Sequence, residues 1–442
     1  MWHQWFRIQW LQHGDQNTKF FYGTATQRKR KNFIKGLRDG NGDWQEDEGV
    51  FSTLLTDFYT QLFTSSNPHD FDRVLDGVEA VVSETMSADL MRPFTSEEVG
   101  VAIKEMAPLK ALGPDGMPSL FYHTCWTDID LDVAQVVLSC LNSRSILRSI
   151  DHTFITLIPI VHNPERVSDF RPISLCNVIY KIISKVIANR LKPMLNSIIF
   201  ETQSAFIVGR LITDNILIAF ESLHHMKNSC TGKKGFMAMK LDMSKAYDRV
   251  EWVFLEKILL KIGFPSTWVA LIMECITTVS YSILVNGEPK SLIVRSRGLR
   301  QGDPLSPYLF IFCAKGLNAL LQNAAIKGDI QGFSLCRNGP KLTHLFFVDD
   351  CLIFCRSTLE ECNKVQELLA YYEVALGQVI NKEKTTLYFS RNTDEATQEA
   401  LKVALNVPAI RHYEKYLSLP SFVGRNRTTC FTQIKERIWG RM

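Results

Sequence analysis

The chain has 442 residues, of which 46% are hydrophobic and 22% charged, so it can bury a core large enough for two or three domains or lobes. A formal net charge of only +4 excludes a protein that holds nucleic acid through a global basic field, so any such contact must come from local clusters. The eleven cysteines show no Cys-x-x-Cys pair and no zinc-type Cys/His spacing, and no apolar run reaches about 18 residues. The sequence therefore predicts reduced thiols inside a cell, with neither a zinc site nor a membrane span.

The first 92 residues are predicted to form a helical N-terminal extension or linker. They contain a basic run, Arg28 to Lys31, which is either a solvated face or a contact with nucleic acid. Thr95, followed three residues later by Glu98, is typical of a capping box and predicts a helix start. The turn Gly-Pro-Asp-Gly at 113–116 ends that segment.

Residues 178–191 place apolar side chains on one stripe, which predicts an amphipathic helix that stops near Pro193. The opposite face of this helix holds Lys181, Lys185 and Asn189. That face is either solvated or in contact with nucleic acid.

The second half of the chain alternates helix and strand signals. A helix is predicted at 252–262, ended by Gly263, and a hairpin at 281–294 around Asn286-Gly287. Pro307 suits the first turn of a helix that continues to about Asn323. The remaining predictions are a helix at 360–376, a strand at 386–389 and a last helix that begins near Thr428.

Two adjacent carboxylates, Asp349 and Asp350, lie between two short apolar runs, which predicts a strand, a tight turn and a second strand. A buried carboxylate is costly unless an opposite charge compensates it, and a metal cation is the usual compensation. Asp242 ends another apolar run further upstream. Together the three carboxylates would hold two divalent cations at the open ends of neighbouring strands, which is the arrangement used for phosphoryl displacement.

Several further motifs make this pattern specific, and together they resemble the reverse transcriptases of plant LINE-type (non-LTR) retrotransposons. The matching stretches, in chain order, are Leu-Gly-Pro-Asp-Gly at 112–116, Asp-Phe-Arg-Pro-Ile-Ser-Leu at 169–175, Gln-Ser-Ala-Phe at 203–206, the segment 241–248, Arg-Gln-Gly-Asp-Pro-Leu-Ser-Pro at 300–307, Phe-Val-Asp-Asp at 347–350, Asn-Lys-Glu-Lys at 381–384 and Lys-Tyr-Leu-Ser-Leu-Pro at 415–420. One acidic pair alone would be a weak signal. All these segments occur in the order typical of the family, and together they span nearly the whole chain.

The resemblance implies an α+β right-hand polymerase fold of fingers and palm, with an RRM-like palm sheet that carries helices on one face, a truncated thumb and the helical N-terminal extension. The implied boundaries are 1–92 for the extension, 93–235 for the fingers, 236–392 for the palm with the catalytic carboxylates, and 393–442 for the palm end and truncated thumb. The palm would run strand, helix, hairpin, helix, strand-turn-strand and helix. On this resemblance the chain looks like a fragment of a longer element.

The resemblance also implies a role for each motif. Asp242, Asp349 and Asp350 would bind two Mg²⁺ ions, with Mn²⁺ as a possible substitute, and Lys384 would protonate pyrophosphate. Tyr247 would exclude a 2′-hydroxyl group. The residues implied to bind the nucleotide are Arg171, Ala246, Tyr247, Gln301 and Gly302. The residues implied to contact template or primer are Gln203, Phe206 and Arg210.

The implied partners are an RNA template, a DNA primer and dNTPs, with no membrane and no inferable protein partner, and family membership alone favours the nucleus over the cytoplasm. Ile160 stands where relatives usually carry a lysine that meets the triphosphate. A catalytically impaired nucleic-acid-binding remnant is therefore the alternative to a working RNA-directed DNA polymerase. An RNA-directed RNA polymerase shares the paired aspartates, but Tyr247 argues against it, and a two-metal nuclease would need a larger acidic cluster.

Overall fold

The computed structural model describes residues 32–228, 235–336 and 339–407, the short stretches 415–417 and 419–420, and the isolated positions Arg30, Thr432 and Trp439. The helix predicted to begin near Thr428 and most of the basic run at 28–31 lie outside the described residues. Within those limits the fold is α+β, as predicted.

The helices are α1 (Glu48–Phe63), α2 (Phe71–Leu75), α3 (Glu84–Met91), α4 (Ser96–Lys104), α5 (Ser119–Thr124), α6 (Trp126–Ser143), α7 (Arg148–Asp151), α8 (Val178–Leu191), α9 (Leu195–Ile198), α10 (Ile212–Asn228), α11 (Trp252–Ile262), α12 (Ser266–Thr277), α13 (Ser306–Lys327), α14 (Leu359–Leu376) and α15 (Glu395–Leu405). The strands are β1 (Leu37–Arg38), β2 (Trp44–Gln45), β3 (Thr153–Pro159), β4 (Phe170–Cys176), β5 (Phe236–Leu241), β6 (Ser280–Val285), β7 (Glu288–Val294), β8 (His344–Phe347), β9 (Asp350–Arg356), β10 (Thr386–Phe389), β11 (Lys415–Tyr416) and β12 (Leu419–Pro420).

The chain divides into two compact units, each assembled from three separate stretches of sequence. Unit 1 comprises Met1–Asn67, Val82–Met194 and Tyr247–Leu309. Unit 2 comprises Pro68–Val81, Leu195–Ala246 and Phe310–Met442. The boundaries predicted after residues 92, 235 and 392 do not coincide with these units, because strands that are distant in sequence pair within each sheet. As an assignment of polymerase subdomains, those boundaries stay a prediction.

Unit 1 is built on a four-stranded sheet in the order β4-β3-β6-β7. Strands β6 and β7 form the predicted hairpin, and both turn residues, Asn286 and Gly287, have the positive φ angles that a two-residue hairpin turn requires. However, β6 pairs in parallel with β3, with Thr153 opposite Tyr281. The prediction that this hairpin belongs to the palm sheet is therefore wrong, because the sequence pattern specifies a hairpin but not the sheet it joins.

The core of unit 1 lies where α1 covers this sheet. Alternate residues of β3 and β6, such as Ile155 and Ile283, are fully or almost fully buried and join one apolar cluster with Leu55 and Phe63 of α1. This alternation is what a half-buried strand needs, since successive side chains point to opposite faces.

Unit 2 is built on an antiparallel four-stranded sheet in the order β10-β5-β9-β8. Its strands are short and strongly apolar, and the cluster around Ala238, Leu352 and Phe354 packs with Leu223 and Met226 of α10. The predicted strand-turn-strand around the acidic pair is confirmed as β8, a turn and β9.

The predicted helix signals are confirmed at several places. Thr95 accepts a hydrogen bond from the backbone N–H of Glu98, and the Glu98 carboxylate accepts one from the N–H of Thr95, which completes the predicted capping box. The apolar stripe at 178–191 forms α8, and Gly263 ends α11 in the left-handed conformation.

The polar face of α8 differs from the prediction. Lys181 is only 6% exposed, and its ammonium donates to the carbonyl of Ala111. The Nζ atom of Lys185 lies 2.7 Å from the Glu105 carboxylate. Both proposed roles, a solvated face and a nucleic-acid contact, are therefore wrong for Lys181, and Lys185 is engaged within the protein, because further helices cover this side of α8.

Among the described helices, α13 is long and apolar enough to cross a membrane. In this structure 72% of its apolar window is buried inside the protein, as in the core helix of a globular domain. The length and composition of α13 are thus explained by packing.

His344 gives the protein a predictable response to acid. It is 1% exposed on β8, with its ring nitrogens beside the side-chain oxygens of Asn318 and Thr343, and burial lowers its pKa to about 3. An unfolded histidine has a pKa of about 6.5, so between these values the unfolded state binds the extra proton. We expect the free energy of unfolding to fall as the pH drops below about 6.5, by at most about 1.4 kcal/mol per pH unit from this residue.

Urea denaturation at several pH values between about 7 and 5 measures this effect. The variant His344→Phe removes the titrating group, whereas His162→Gln removes an exposed histidine as a control. An acid slope that is the same in wild type and His344→Phe would contradict the expectation.

Candidate active site

The two acidic segments meet at one end of the unit 2 sheet. Strand β5 ends at Leu241, which pairs with Cys351 of β9, and Asp242 follows directly. Phe347 pairs with Asp350 across the turn that joins β8 to β9. Because β5 and β9 are antiparallel, the end of one lies beside the start of the other, and Asp242 comes to the same edge as the acidic pair.

Asp350 lies close enough to the other two carboxylates for their charges to act on it. The pKa of Asp350 is raised, first by burial and then by the negative charges of Asp349 and Asp242. Lys240, on the same strand as Leu241, opposes this effect, and its Nζ atom lies 4.0 Å from the Asp350 carboxylate. The edge therefore concentrates negative charge that a cation would relieve.

The donor set fits a divalent cation in kind, because hard ions such as Mg²⁺ prefer carboxylate oxygens. Within the described ranges, no group of three His, Cys, Asp or Glu side chains is arranged to hold a metal ion as those side chains stand. The fold thus brings the three carboxylates to one edge without forming a closed cage around one point.

A hydrogen bond from a neighbouring segment supports the turn that carries the acidic pair. Val348 precedes Asp349 with a φ of +58°, and its N–H donates to the side-chain oxygen of Gln203 at 3.2 Å. Gln203 is 0% exposed, so its side chain is not available to a template strand. The predicted template contact of Gln203 is not supported by this position, because its side chain points inward towards the acidic turn.

The other two predicted template contacts differ from each other. Arg210 donates to the backbone carbonyls of Ile199, Phe200 and Gln203, so its guanidinium braces the loop that contains it. Phe206 is 47% exposed, with a φ of +62°. An exposed ring can stack on a base, so Phe206 stays a prediction as a nucleic-acid contact.

The loop that carries Lys384 is fixed to the first acidic segment. The N–H of Asn381 donates to the carbonyl of Asp242 at 2.8 Å, and the N–H of Lys384 donates to the side chain of Asn381. Lys384 itself is exposed. Ala246 is 5% exposed, and its carbonyl accepts from Gln378, so its nucleotide contact stays a prediction.

Unit 1 carries the other predicted nucleotide-binding residues. Gln301 donates from Nε2 to both carboxylate oxygens of Asp248, at 2.9 and 3.1 Å, while the N–H of Leu299 donates to the carbonyl of Tyr247. The unit therefore brings the segments of Tyr247 and Gln301 together. Asp248 is only 2% exposed, and its carboxylate fixes the side chain of Gln301.

The segment of Gly302 contacts strand β4, which also carries Arg171. Gly302 has a φ of +106°, where glycine is favoured, and the neighbouring carbonyl of Gln301 accepts from the N–H of Ser174 on β4. Arg171, at the other end of β4, is exposed and pairs with Ile158 in the sheet register. Its guanidinium is thus in a position to meet a ligand from solvent.

Two features of the site region were missed by sequence reasoning. Lys240 was not considered, although it lies on β5 two residues before Asp242, and its Nζ atom lies 4.0 Å from the Asp350 carboxylate. The pairing of Gln203 with Val348 had no visible signal, because the two residues are far apart in sequence.

Comparison with known proteins decides the family. Residues 161–415, more than half of the chain, match the family model described as reverse transcriptase (RNA-dependent DNA polymerase). The chain belongs to the reverse transcriptase family. Proteins of this family generally use divalent metal ions, which agrees in kind with the carboxylates at 242, 349 and 350.

Several curated relatives come from transposable elements. An uncharacterized 149 kDa protein of transposon TX1 from Xenopus laevis is 25% identical over 99% of this reverse transcriptase chain. The Pol polyprotein of the type-2 retrotransposable element R2DM from Drosophila melanogaster is 24% identical over 69% of it. An uncharacterized mitochondrial protein of Arabidopsis thaliana is 49% identical over 15% of it. The chain spans only 33%, 28% and 55% of these relatives' own lengths, respectively.

Proposed function

We propose that this chain is the RNA-directed DNA polymerase module of a non-LTR retrotransposon and transfers nucleotides from dNTPs to a primer 3′-hydroxyl on an RNA template. The observation that carries the proposal is the convergence of Asp242, Asp349 and Asp350 on one sheet edge in a member of the reverse transcriptase family. Negative charge gathered at the end of a sheet suits cation-assisted phosphoryl transfer.

The three aspartates would hold two Mg²⁺ ions. Bound there, the ions would supply activation of the 3′-hydroxyl and charge neutralisation at the pyrophosphate. The chain's own residues bind and orient the reactants. Arg171 offers a forked guanidinium to the triphosphate, and Lys384 offers a proton to the pyrophosphate.

The remaining roles concern the choice of nucleotide. The side chain of Gln301 is fixed by Asp248, which suits a surface on which the incoming nucleotide and template base pack. Gly302 has no side chain, so the nucleotide can approach the backbone closely at this point. On the family motif, the ring of Tyr247 would occupy the volume that a ribose 2′-hydroxyl needs. These assignments carry over from the family motifs residue by residue.

The element of origin is proposed to be of the plant LINE type, supported by the motif order and by the 49% identity of 67 residues to the Arabidopsis thaliana protein. The nucleus is the proposed compartment, since an element that primes on chromosomal DNA must reach it.

A catalytically impaired nucleic-acid-binding remnant is the second proposal. The observation that favours it is Ile160, which stands 53% exposed just beyond β3 where relatives usually carry a lysine. An apolar side chain at that point supplies no charge to a triphosphate.

Primer extension separates the two proposals. Purified protein receives an RNA template with an annealed DNA primer, Mg²⁺ and dNTPs, beside the double variant Asp349→Ala/Asp350→Ala. Extension by the wild type that the double variant lacks supports the polymerase. Binding of the RNA–DNA duplex without extension by the wild type would support the remnant. Restoration of extension by Ile160→Lys would then identify the missing charge as the cause.

Tyr247 provides a test of sugar selection. We expect Tyr247→Ala to incorporate ribonucleotides more readily, with the dNTP-to-rNTP ratio of kcat/KM falling at least about tenfold, which corresponds to about 1.4 kcal/mol of lost discrimination. Single-nucleotide incorporation of dCTP and CTP opposite the same template base measures it. Tyr247→Phe keeps the ring and serves as the matched control. Equal discrimination in Tyr247→Ala and wild type would contradict the proposed role of Tyr247 in excluding the 2′-hydroxyl group.

A further inference from the structure

Gln203 has no assigned role that agrees with its surroundings. Its side chain is 0% exposed, and Oε1 accepts hydrogen bonds from the backbone N–H groups of Ala205 at 3.0 Å and Val348 at 3.2 Å. We propose that Gln203 is a positioning residue that holds the turn carrying Asp349 and Asp350 in its active conformation. This inference rests on the proposed function for what the turn does, but the contact itself stands independently.

The turn needs such a support because of Val348. This residue has a φ of +58°, in the left-handed region that β-branched residues strongly avoid. Strained residues of this kind persist only where their surroundings over-determine them. The hydrogen bond from the Val348 N–H to Gln203 fixes the peptide between Phe347 and Val348, immediately before the strained residue, so the side-chain amide opposes relaxation of the turn.

The segment that contains Gln203 is itself anchored to the strand that leads into the turn. The N–H of Phe346 donates to the carbonyl of Thr202 at 2.9 Å, and the N–H of Ser204 donates back to the carbonyl of Phe346 at 3.4 Å. Asn215 of α10 donates to the same Phe346 carbonyl at 2.6 Å. Residues 202–204 thus extend the edge of β8, and the position of Gln203 is set relative to the strand.

A second support acts on the backbone of Gln203. The guanidinium of Arg210 donates to the Gln203 carbonyl at 2.6 Å and to the carbonyl of Phe200 at 2.6 Å. Two of the three predicted template contacts, Gln203 and Arg210, therefore brace the acidic turn. These contacts explain why a glutamine and an arginine stand at these two positions, and no contact with nucleic acid is needed for the explanation.

A glutamine suits this place better than the alternatives. Its amide oxygen accepts two N–H groups and adds no charge beside carboxylates that already repel one another. Its Nε2 atom is buried without a hydrogen-bond partner among the described residues. Removal of the amide removes this unsatisfied donor, but it leaves the N–H groups of Ala205 and Val348 without their acceptor, so the cost should fall on the turn and its support.

Hydrogen exchange tests the contact without requiring activity. In Gln203→Met, the amides of peptides that cover 345–351 are expected to exchange faster than in wild type. The matched control is Gln366→Met, which removes a glutamine-to-backbone contact with Ala404 elsewhere in unit 2. Unchanged exchange at 345–351 in Gln203→Met would overturn the proposal.

Kinetics test the consequence. We expect Gln203→Met to lower kcat for single-nucleotide incorporation about 10- to 100-fold, the usual range for supports of metal-binding side chains, with an unchanged Kd for the primer–template duplex. Gln366→Met should leave both values at the wild-type level. A loss confined to duplex affinity would overturn the positioning role and return Gln203 to template binding.

A double-mutant cycle separates positioning from general destabilisation. Glycine adopts positive φ without strain, so Val348→Gly should remove the need for the support. The loss caused by Gln203→Met is then expected to be several-fold smaller in the Val348→Gly background than in wild type. The same loss in both backgrounds would overturn the proposal. If the wild type extends no primer, the proposed function fails, whereas the exchange experiment still decides the contact.

Discussion

Asp242→Asn is expected to slow nucleotide incorporation about a thousandfold, because on the proposed mechanism the loss of one carboxylate that would hold Mg²⁺ removes about 4 kcal/mol of transition-state charge stabilisation. Asparagine keeps the size of the side chain but not its charge. Asp242 lies at the end of β5, after the last paired residue of that strand, so the sheet itself should be unaffected. The measurement is the single-turnover rate with saturating dNTP and Mg²⁺.

The matched control is Asp329→Asn. Asp329 is also in unit 2, and its carboxylate lies 3.7 Å from Lys364 on the surface, so its removal changes the net charge equally without touching the acidic edge. Wild-type rates in this control and a large loss in Asp242→Asn would locate the chemistry. Comparable rates in the two variants would contradict the assignment of Asp242.

Arg300→Met is expected to destabilise unit 1 by about 3–5 kcal/mol, because it leaves a buried carboxylate unpaired. The Arg300 guanidinium donates to Asp151 at 2.5 Å and to the carbonyl of Cys275, and it lies 3.8 Å from the ring centre of Tyr180. Asp151 is 0% exposed. In a unit of this size the midpoint of thermal unfolding should fall by roughly 10 °C.

A neighbouring arginine gives the control. Arg295 is 4% exposed, its three side-chain nitrogens have no hydrogen-bond partner among the described residues, and the ring of Tyr281 lies 4.5 Å away. Arg295→Met loses cation–π contacts but strands no anion, so we expect a change within about 1 kcal/mol. The double variant Asp151→Leu/Arg300→Met should recover most of the loss. Equal destabilisation by both single arginine variants would contradict the ion-pair explanation.

The local structure near the acidic pair could be predicted because it depends on neighbouring residues. Short apolar runs on each side of Asp349 and Asp350 specify two strands and a tight turn whatever they pack against. The capping box at Thr95 and the glycine that ends α11 are equally local, and the structure has all three.

The long-range arrangement could not be predicted in the same way. Nothing in the hairpin sequence around Asn286 tells that β6 pairs with β3 rather than with the sheet of β5. Likewise, Lys181 has the spacing of a surface residue on an amphipathic helix, and only the packing of other helices buries it. Pairings of this kind depend on non-local contacts that a periodic pattern does not encode.

The candidate site shows the same division. Family motifs singled out Gln203 and Arg210 as residues of interest, but not the direction in which they point. The structure turns both side chains towards backbone groups. A motif identifies where a residue type is required, whereas the partner atoms identify the reason.

The interleaved composition of the two units has a consequence for how the protein is made. Each unit is assembled from three stretches, and the last stretch of unit 1 ends only at Leu309. A chain leaving the ribosome therefore cannot complete the first sheet before about two-thirds of the sequence has been synthesised, and β3 must wait for β6, which starts at Ser280. Folding of unit 1 should accordingly wait until β6 and β7 have been synthesised, with exposed strand edges that chaperones would have to protect in the meantime.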